Sequence, residues 1–434
     1  MNILILHALG DPKQAPRFLK EHVYCLQNND RKSNYLYHDV ALPLPRYVTD
    51  IEFDAIILDV SFLAMRWASA QQFKQIKSDY AFIKSSNAVK LAFPQDEYDC
   101  NELLDEWMCD WNVDVVVSVI SSHHDHLYPT FSRLKRIEFG FTGYLDENLL
   151  RHCITPFEER SIDIGYRARK LPPYFGRVGE TKWTIGRDVQ IAATQAGLRT
   201  DIVLGDGGTL FGEDWLNFIN DCKFTLGANS GSSLLDPRGE IQRAVRRLLA
   251  ERPHATFSEI EQACFPGKDG HQQYTAISPR VLEAAVLESC QILVVGDYSG
   301  ILTPWEHYIP IKPDASDFHE VMEAIRDKQQ VSRITKNCKS AILDRQDLRY
   351  ETAAHKTLKL IEEHVPSRSI SRSSTRDRNA IIRYSEEMPS IYARHWAQLR
   401  LKNKFIAPLR RYPNILNAGR TARDFIHSFL RQDR

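Results

Sequence analysis

The stretch YTAISPRVLEAAVLESCQILVVGDY, residues 274–298, changes its period part-way along. Ser278 followed by Pro279 is an N-cap and first-turn signature, so a helix is expected over 278–289. Val281, Ala285 and Leu287 give that helix a buried face. The run from Gln291 is continuously apolar and ends at Gly-Asp, which reads as a strand covered on both faces. A helix feeding a buried strand is half of a parallel α/β unit. Glu283 interrupts the apolar face in the second turn, near the positive end of the helix dipole, where a carboxylate is favoured. Two hydroxyls of a sugar would match its two oxygens. A solvated glutamate supporting Arg280 is the plainer alternative.

The same alternation runs outward in both directions. Upstream, NILILHA (2–8), FDAIILDVS (53–61), VKLAFPQ (89–95) and VDVVVSVIS (113–121) read as buried strands. Helices are expected between them over 15–27, 67–77 and 101–111, and RIEFGFTGY offers a further short strand. A second set follows: strand SIDIGYRA, helix 182–196, strand TDIVLG, helix 213–221, strand KFTLGANS and helix 240–250. A helix over 316–328 closes that set. The fold class is therefore α/β, with two Rossmann-like doubly wound domains in series. The expected boundaries are 1–158 and 159–340, then a helix over 341–365 that crosses back to the first domain, then 366–434. That last segment opens with the Ser/Arg-rich PSRSISRSSTRDR and continues as a basic, partly helical tail. In open parallel sheets ligands bind beyond the carboxyl ends of the strands, and two such domains leave a cleft between them.

Composition narrows the function classes. The 56 Lys and Arg balance the 56 Asp and Glu, so net charge alone names no nucleic-acid or membrane partner. Eight cysteines are scattered without a CxxC pair, which argues against a zinc site and a disulfide framework. MNILILHALGD lacks a basic n-region and a cleavage site, so it reads as a first strand and not as a signal peptide. No stretch reaches the ~20 apolar residues of a membrane span. The expected location is cytoplasmic, with a peripheral position at the inner membrane face if the basic, aromatic tail lies on lipid.

The residues from Tyr274 to Phe318 resemble the C-terminal half of bacterial GT-B glycosyltransferases of the "glycosyl transferases group 1" kind, with the spore-maturation-like branch nearest. The likeness is carried by the R-x-x-E-A helix at Arg280–Ala284, the strand after it, the glycine-containing loop, and the D-x-x-D-F start of the next helix. IDIGYRARKLPPYFGRVGETKW likewise resembles the opening of that family's nucleotide-binding domain. The resemblance implies that Glu283 holds the ribose of a nucleotide sugar, with Ser278 and Arg280 beside it. The chain departs from better-known members at two points. Thr275 stands where they place an earlier glutamate, and HALGDPK holds a single glycine, Gly10.

A nucleoside-diphosphate donor needs cations for its leaving diphosphate. Arg167 and Arg169, at the end of a strand, and Lys182, in the next helix, are the candidates, with Arg167 first in rank because it follows the strand most directly. Ser230 and Gly231, in the small-residue loop GANSGSSLLDPRGE, would let backbone approach the donor. The alternative is an ordinary turn. DYSGILTPWEHYI, in the implied fold, edges the cleft near the donor sugar. On the acceptor side, SSHHDHLYP (121–129) supplies His123 and Asp125 as catalytic candidates, a histidine near neutral pKa suiting a general base. A metal reading of this cluster lacks a fourth ligand. The acidic FPQDEYD (93–99) is expected to face the acceptor.

The implied activity is hexosyl transfer from a nucleoside-diphosphate sugar to a hydroxyl on a glycan, lipid-linked or other cell-surface precursor. The resemblance leans to retention of configuration. No cofactor or metal is expected to be required, since no DxD motif follows a buried strand. The competing function is a catalytically silent nucleotide-binding module whose basic tail holds a membrane or a partner. Nucleic-acid binding through that tail is the weaker reading, because no reader motif is present.

Overall fold

The computed structural model describes residues 1–10, 15, 17–365 and 374–409. Residues 366–373, the larger part of the Ser/Arg-rich segment, and 410–434, the end of the basic tail, lie outside the described residues.

Two parallel sheets organise the chain. The first comprises β1 (Asn2–His7), β2 (Asn34–Asp39), β3 (Ala55–Leu58), β4 (Val89–Ala92), β5 (Val115–Ser118) and β6 (Arg136–Phe139) in the order β2-β1-β3-β4-β5-β6. The second comprises β7 (Ile162–Ala168), β8 (Thr200–Leu204), β9 (Cys222–Gly227), β12 (Cys290–Val294) and β13 (Ile309–Ile311), in the order β13-β12-β9-β7-β8. Between β9 and β12 the short β10 (Ser230–Ser232) and β11 (Tyr274–Ala276) pair as an antiparallel ribbon. Read from its first strand, each parallel sheet reverses direction at the same place, between β1 and β3 and between β7 and β9. Those switch points are where an open α/β sheet leaves room for a ligand.

The apolar runs explain why these strands form. Leu4, Leu6, Ile56 and Leu58 face one core of the first sheet, and Ile3, Ile5, Ala55 and Ile57 face the other. The second sheet repeats the pattern, with Ile292 and Val294 on one face and Leu293 on the opposite one. A residue with period two and no polar face must be covered twice, hence helices on both sides.

Several elements differ from the expectation. Strand β2, NYLYHD, carries no continuous apolar run because it forms the edge of its sheet. The helix expected over 278–289 stops at Val286, and Glu288 adopts a left-handed backbone, φ 55°. The helix expected from 182 begins at Gly176, because Asp269 and Ser233 accept from its first free N–H groups, at Arg177 and Val178. The single helix expected over 341–365 is two, Lys328–Leu343 and Tyr350–His364. The chain breaks there because Leu145 bonds the carbonyl of Leu348 and accepts from the amide of Tyr350. The second helix then buries Ala354, Leu360 and Ile361 in the core that holds Ile3 and Ile5.

The Thr375–Leu409 helix also lies on the first sheet. Ile381, Tyr384 and Met388 join its core. His38 is sandwiched between the hydroxyls of Tyr384 at 2.7 Å and Tyr80 at 2.8 Å, and burial pushes its imidazole down to about 3, so it stays neutral. Ile391 and Leu401 remain exposed. No helix among the described residues is long and apolar enough to cross a membrane.

Candidate functional site

A cavity of about 540 Å³ opens between the two sheets, within the size range of small-molecule sites. The carboxyl ends of β7 and β9 form its floor, as the switch-point rule requires. Eight residues singled out in the sequence line it: Arg167, Arg169, Lys182, Ser230, Gly231, Ser278, Arg280 and Glu283. They come from four separate segments, and the doubly wound order alone brings them together.

Glu283 is the best-defined of them. Its Oε2 accepts the indole N–H of Trp215 at 2.7 Å, which fixes the carboxylate where it lines the cavity. Arg280 lies over the same indole ring at 5.1 Å and donates to the carbonyl of Arg167 at 2.7 Å. Burial raises the Glu283 carboxyl to about 7, against the opposing pull of Trp215, Arg17 and Arg280. Ser278 sits at the N-cap with Pro279 in the first turn, yet its hydroxyl makes no capping bond. Pro279 carries no N–H and the amide of Val281 donates to the carbonyl of Ser278 at 3.0 Å, so this helix start offers few free amides.

The three cations are not equivalent. Arg167 lines the cavity, but its guanidinium is committed: it pairs with Asp201 at 2.7 Å, donates to the carbonyls of Tyr166 and Asp201, and lies 3.9 Å over the ring of Phe218. Among the described residues its buried Nε alone is left without a partner, so Arg167 offers the cavity less than its place at the strand end suggests. Lys182 is the better placed. Burial lowers its ammonium to about 8, Asp96 pulls the other way, and its Nζ donates to Ser230 Oγ at 3.3 Å. A desolvated ammonium of this kind gains most from an arriving diphosphate. Arg169 is exposed at the rim and reaches Thr209 at 3.2 Å. Gly231 has a structural reason for its identity: at φ 136°, a Cβ there would stand 2.0 Å from the carbonyl of Tyr274 across the ribbon.

The first sheet closes the other side with Arg17, Gln95, Asp96, Tyr98 and Thr142. The FPQDEYD loop thus faces the cavity, and Asp96 is the carboxylate it presents. Its backbone is left-handed, φ 48°. Two devices hold it so. Buried Arg66 donates to the carbonyls of Gln95, Asp96 and Asp99 at 2.8–3.0 Å. Tyr98 donates its hydroxyl to Asp96, while the ribbon side ties down the backbone through Asp236, which donates to the carbonyl of Tyr98 and accepts from Cys100. A strained residue kept in place by its surroundings is a common mark of a working site. The adjacent Glu97 turns inward, bonded by Ser118, Val119 and Tyr128.

His123 and Asp125 do not line this cavity. His123 packs edge-on against Tyr274 and beside His126, on the outer side of the ribbon, and Asp125 is exposed. Among the described residues no three His, Cys, Asp or Glu side chains converge to hold a metal. The loop 297–309 also stays out of the lining, with Tyr298 buried and Ser299 accepting from the amide of Ile277. Sequence reasoning missed Arg17, Trp215 and Phe211, which belong to no motif. Trp215 could have been found from its position one helical face away from the Glu283 helix only with the fold in hand.

No family model matches the chain, and no curated protein does. Solved structures do. Anabaena Alr3699/HepE in complex with UDP aligns over 84% of this chain and 100% of its own, at 10% identity and a TM-score of 0.50. An α-glucosyltransferase in complex with UDP and a 13-mer DNA containing a HMU base aligns over 83% and 99%, again at 10% identity and 0.50. The chain has the GT-B fold. Within GT-B, the cavity described above is the interdomain cleft.

Proposed function

We propose that the protein is a GT-B glycosyltransferase. It moves a hexosyl group from a nucleoside-diphosphate sugar, held against the second sheet, to a hydroxyl of a glycan or lipid-linked precursor approaching from the first. The observation that carries this reading is the pairing, in one cavity, of a carboxylate fixed by Trp215 with a desolvated ammonium at Ser230. Glu283 would accept the ribose hydroxyls. Lys182 and Ser230 would take the diphosphate and its growing charge as the glycosidic bond to phosphate breaks, with Arg169 at the rim. Asp96, across the cleft, would orient the acceptor hydroxyl and receive its proton. The two neighbours above bind UDP, which accords with a uridine donor.

Thr275, in place of an acidic residue, favours one competitor: a module that binds nucleotide without turnover. Calorimetric titration with UDP, GDP, ADP, CMP and dTDP, on the wild type and Glu283→Ala, tests the donor site. One diphosphate should bind, and the variant should bind it about tenfold more weakly, ~1.4 kcal/mol. Failure of every nucleotide at millimolar concentration would sink the proposal. Binding without hydrolysis of any matching sugar nucleotide would favour the silent module.

A further inference from the structure

The connection from β8 to the Glu213–Asp221 helix, residues 205–212, reads GDGGTLFG and was absorbed by no motif. Six of its eight residues line the cavity: Gly205, Gly208, Thr209, Leu210, Phe211 and Gly212. Gly205 (φ 109°, ψ −175°) and Gly212 (φ 55°, ψ −128°) bound it in backbone states that side-chain-bearing residues avoid. Nothing stands within 4 Å of where a Cβ would be at either, so packing is not what asks for glycine. The backbone path is. That path turns the intervening segment toward the cleft.

Leu210 packs into the core beside the Glu283 helix and anchors the loop. Phe211, next to it, does the opposite. It is 53% exposed, one of few large apolar side chains left so, and it makes no ring contact among the described aromatic pairs. An aromatic face exposed on the wall of the cleft, with its half-buried neighbour packed against the core to hold it there, suits a planar ligand. The same stretch leads within four residues to Trp215, whose indole holds Glu283.

Resting on the donor reading above, we infer that Phe211 is the stacking surface for the nucleobase. The donor has three parts. Glu283 answers the ribose and Lys182 with Ser230 answers the diphosphate, which leaves the base. Loop 205–212 supplies the aromatic surface that neither of those groups provides, on the same wall as Glu283. Stacking tolerates any base, so Phe211 would set affinity, and backbone groups of the loop would set which base is preferred.

The test is calorimetry with UDP, GDP and inorganic pyrophosphate on wild type, Phe211→Ala and Phe211→Tyr. Phe211 is exposed, so the alanine variant keeps the fold, and an unchanged melting curve verifies that. Expected is a loss of about tenfold or more in nucleoside-diphosphate affinity for Phe211→Ala. Recovery is expected in Phe211→Tyr, with pyrophosphate binding equal in all three. Equal nucleotide affinity in wild type and Phe211→Ala overturns the stacking role while leaving the donor site intact. A parallel loss of pyrophosphate affinity also overturns it, since the residue would then act on the loop and not on the base. If wild type binds no nucleotide at all, the donor reading itself fails, and the stacking role with it.

Discussion

On the first-sheet side of the cavity, Asp96 stands on a loop whose carbonyls are gripped by the buried guanidinium of Arg66 and whose backbone is bonded to Asp236. On the second-sheet side, Phe211 stands on a loop bounded by two glycines with open space beside them. Both loops follow the carboxyl end of a strand in a doubly wound sheet, Asp96 after β4 and Phe211 after β8, so the fold does not explain the contrast. The side chains do. Arg66 is a buried charge satisfied only by carbonyls in one arrangement, and any other arrangement leaves it unpaired. Glycines impose no such penalty. One wall is committed to a single geometry, as a group that must meet a reacting hydroxyl requires. The other carries no such constraint at its two bounding glycines.

The largest effect expected from this contrast is at Asp96. Asn tolerates the left-handed backbone, so Asp96→Asn changes the charge and leaves the loop in place. Turnover with the matching sugar nucleotide should fall by about a hundredfold or more, the usual range for a lost proton acceptor. Nucleotide affinity should hold, because the proposed donor site lies on the other wall. A steady-state assay beside calorimetry reads both. Unchanged turnover would mean that the rigid wall only shapes the cleft.

The donor wall makes a smaller, pH-dependent prediction. Burial raises the Glu283 carboxyl to about 7 and lowers the Lys182 ammonium to about 8. In the proposed site, ribose hydroxyls would donate to the ionised carboxylate, so affinity should rise as pH climbs through 7. The diphosphate needs the protonated ammonium, so affinity should fall as pH passes 8. The nucleotide dissociation constant should thus be lowest between the two. Glu283→Gln should flatten the acid limb alone, and Lys182→Arg, always charged, the alkaline limb alone. Identical profiles in all three proteins would assign the titration to other groups.

How much of this was legible beforehand follows from what each feature depends on. The α/β architecture was readable because strands buried on both faces write continuous apolar runs. The edge strand NYLYHD was not, since an edge is covered less and its tyrosines and histidine alternate. That Glu283 and Ser230 line the cavity was readable because Ser278-Pro279 marks a helix start and GANSGSS a small-residue loop, whereas Lys182 was placed at a helix start that lies six residues earlier, at Gly176. Arg167 shows the limit. Its place at a strand end was visible, and its burial under Asp201 and over Phe218 was not, because those partners lie 34 and 51 residues away. Trp215 and Arg17 were invisible for the same reason. They matter through contacts that only the assembled sheets create.

The histidine cluster gives the smallest expected effect and the sharpest check on the comparison. A strand's carboxyl end in the first sheet is the right address for an acceptor-side residue, and SSHHDHLYP has it. Yet β5 ends one strand beyond β4, and His123 packs against Tyr274 of the β10–β11 ribbon, outside the residues that line the cavity. His123 has a left-handed backbone, φ 59°, which Asn again tolerates. His123→Asn should therefore leave both turnover and nucleotide affinity unchanged, with stability altered by no more than about 0.5 kcal/mol. A loss of turnover as large as that of Asp96→Asn would mean that the ribbon moves aside in the working enzyme. The wall held by Arg66 would then be one of two arrangements, and the contrast between a fixed and a less constrained side of the cleft would fail at its fixed side.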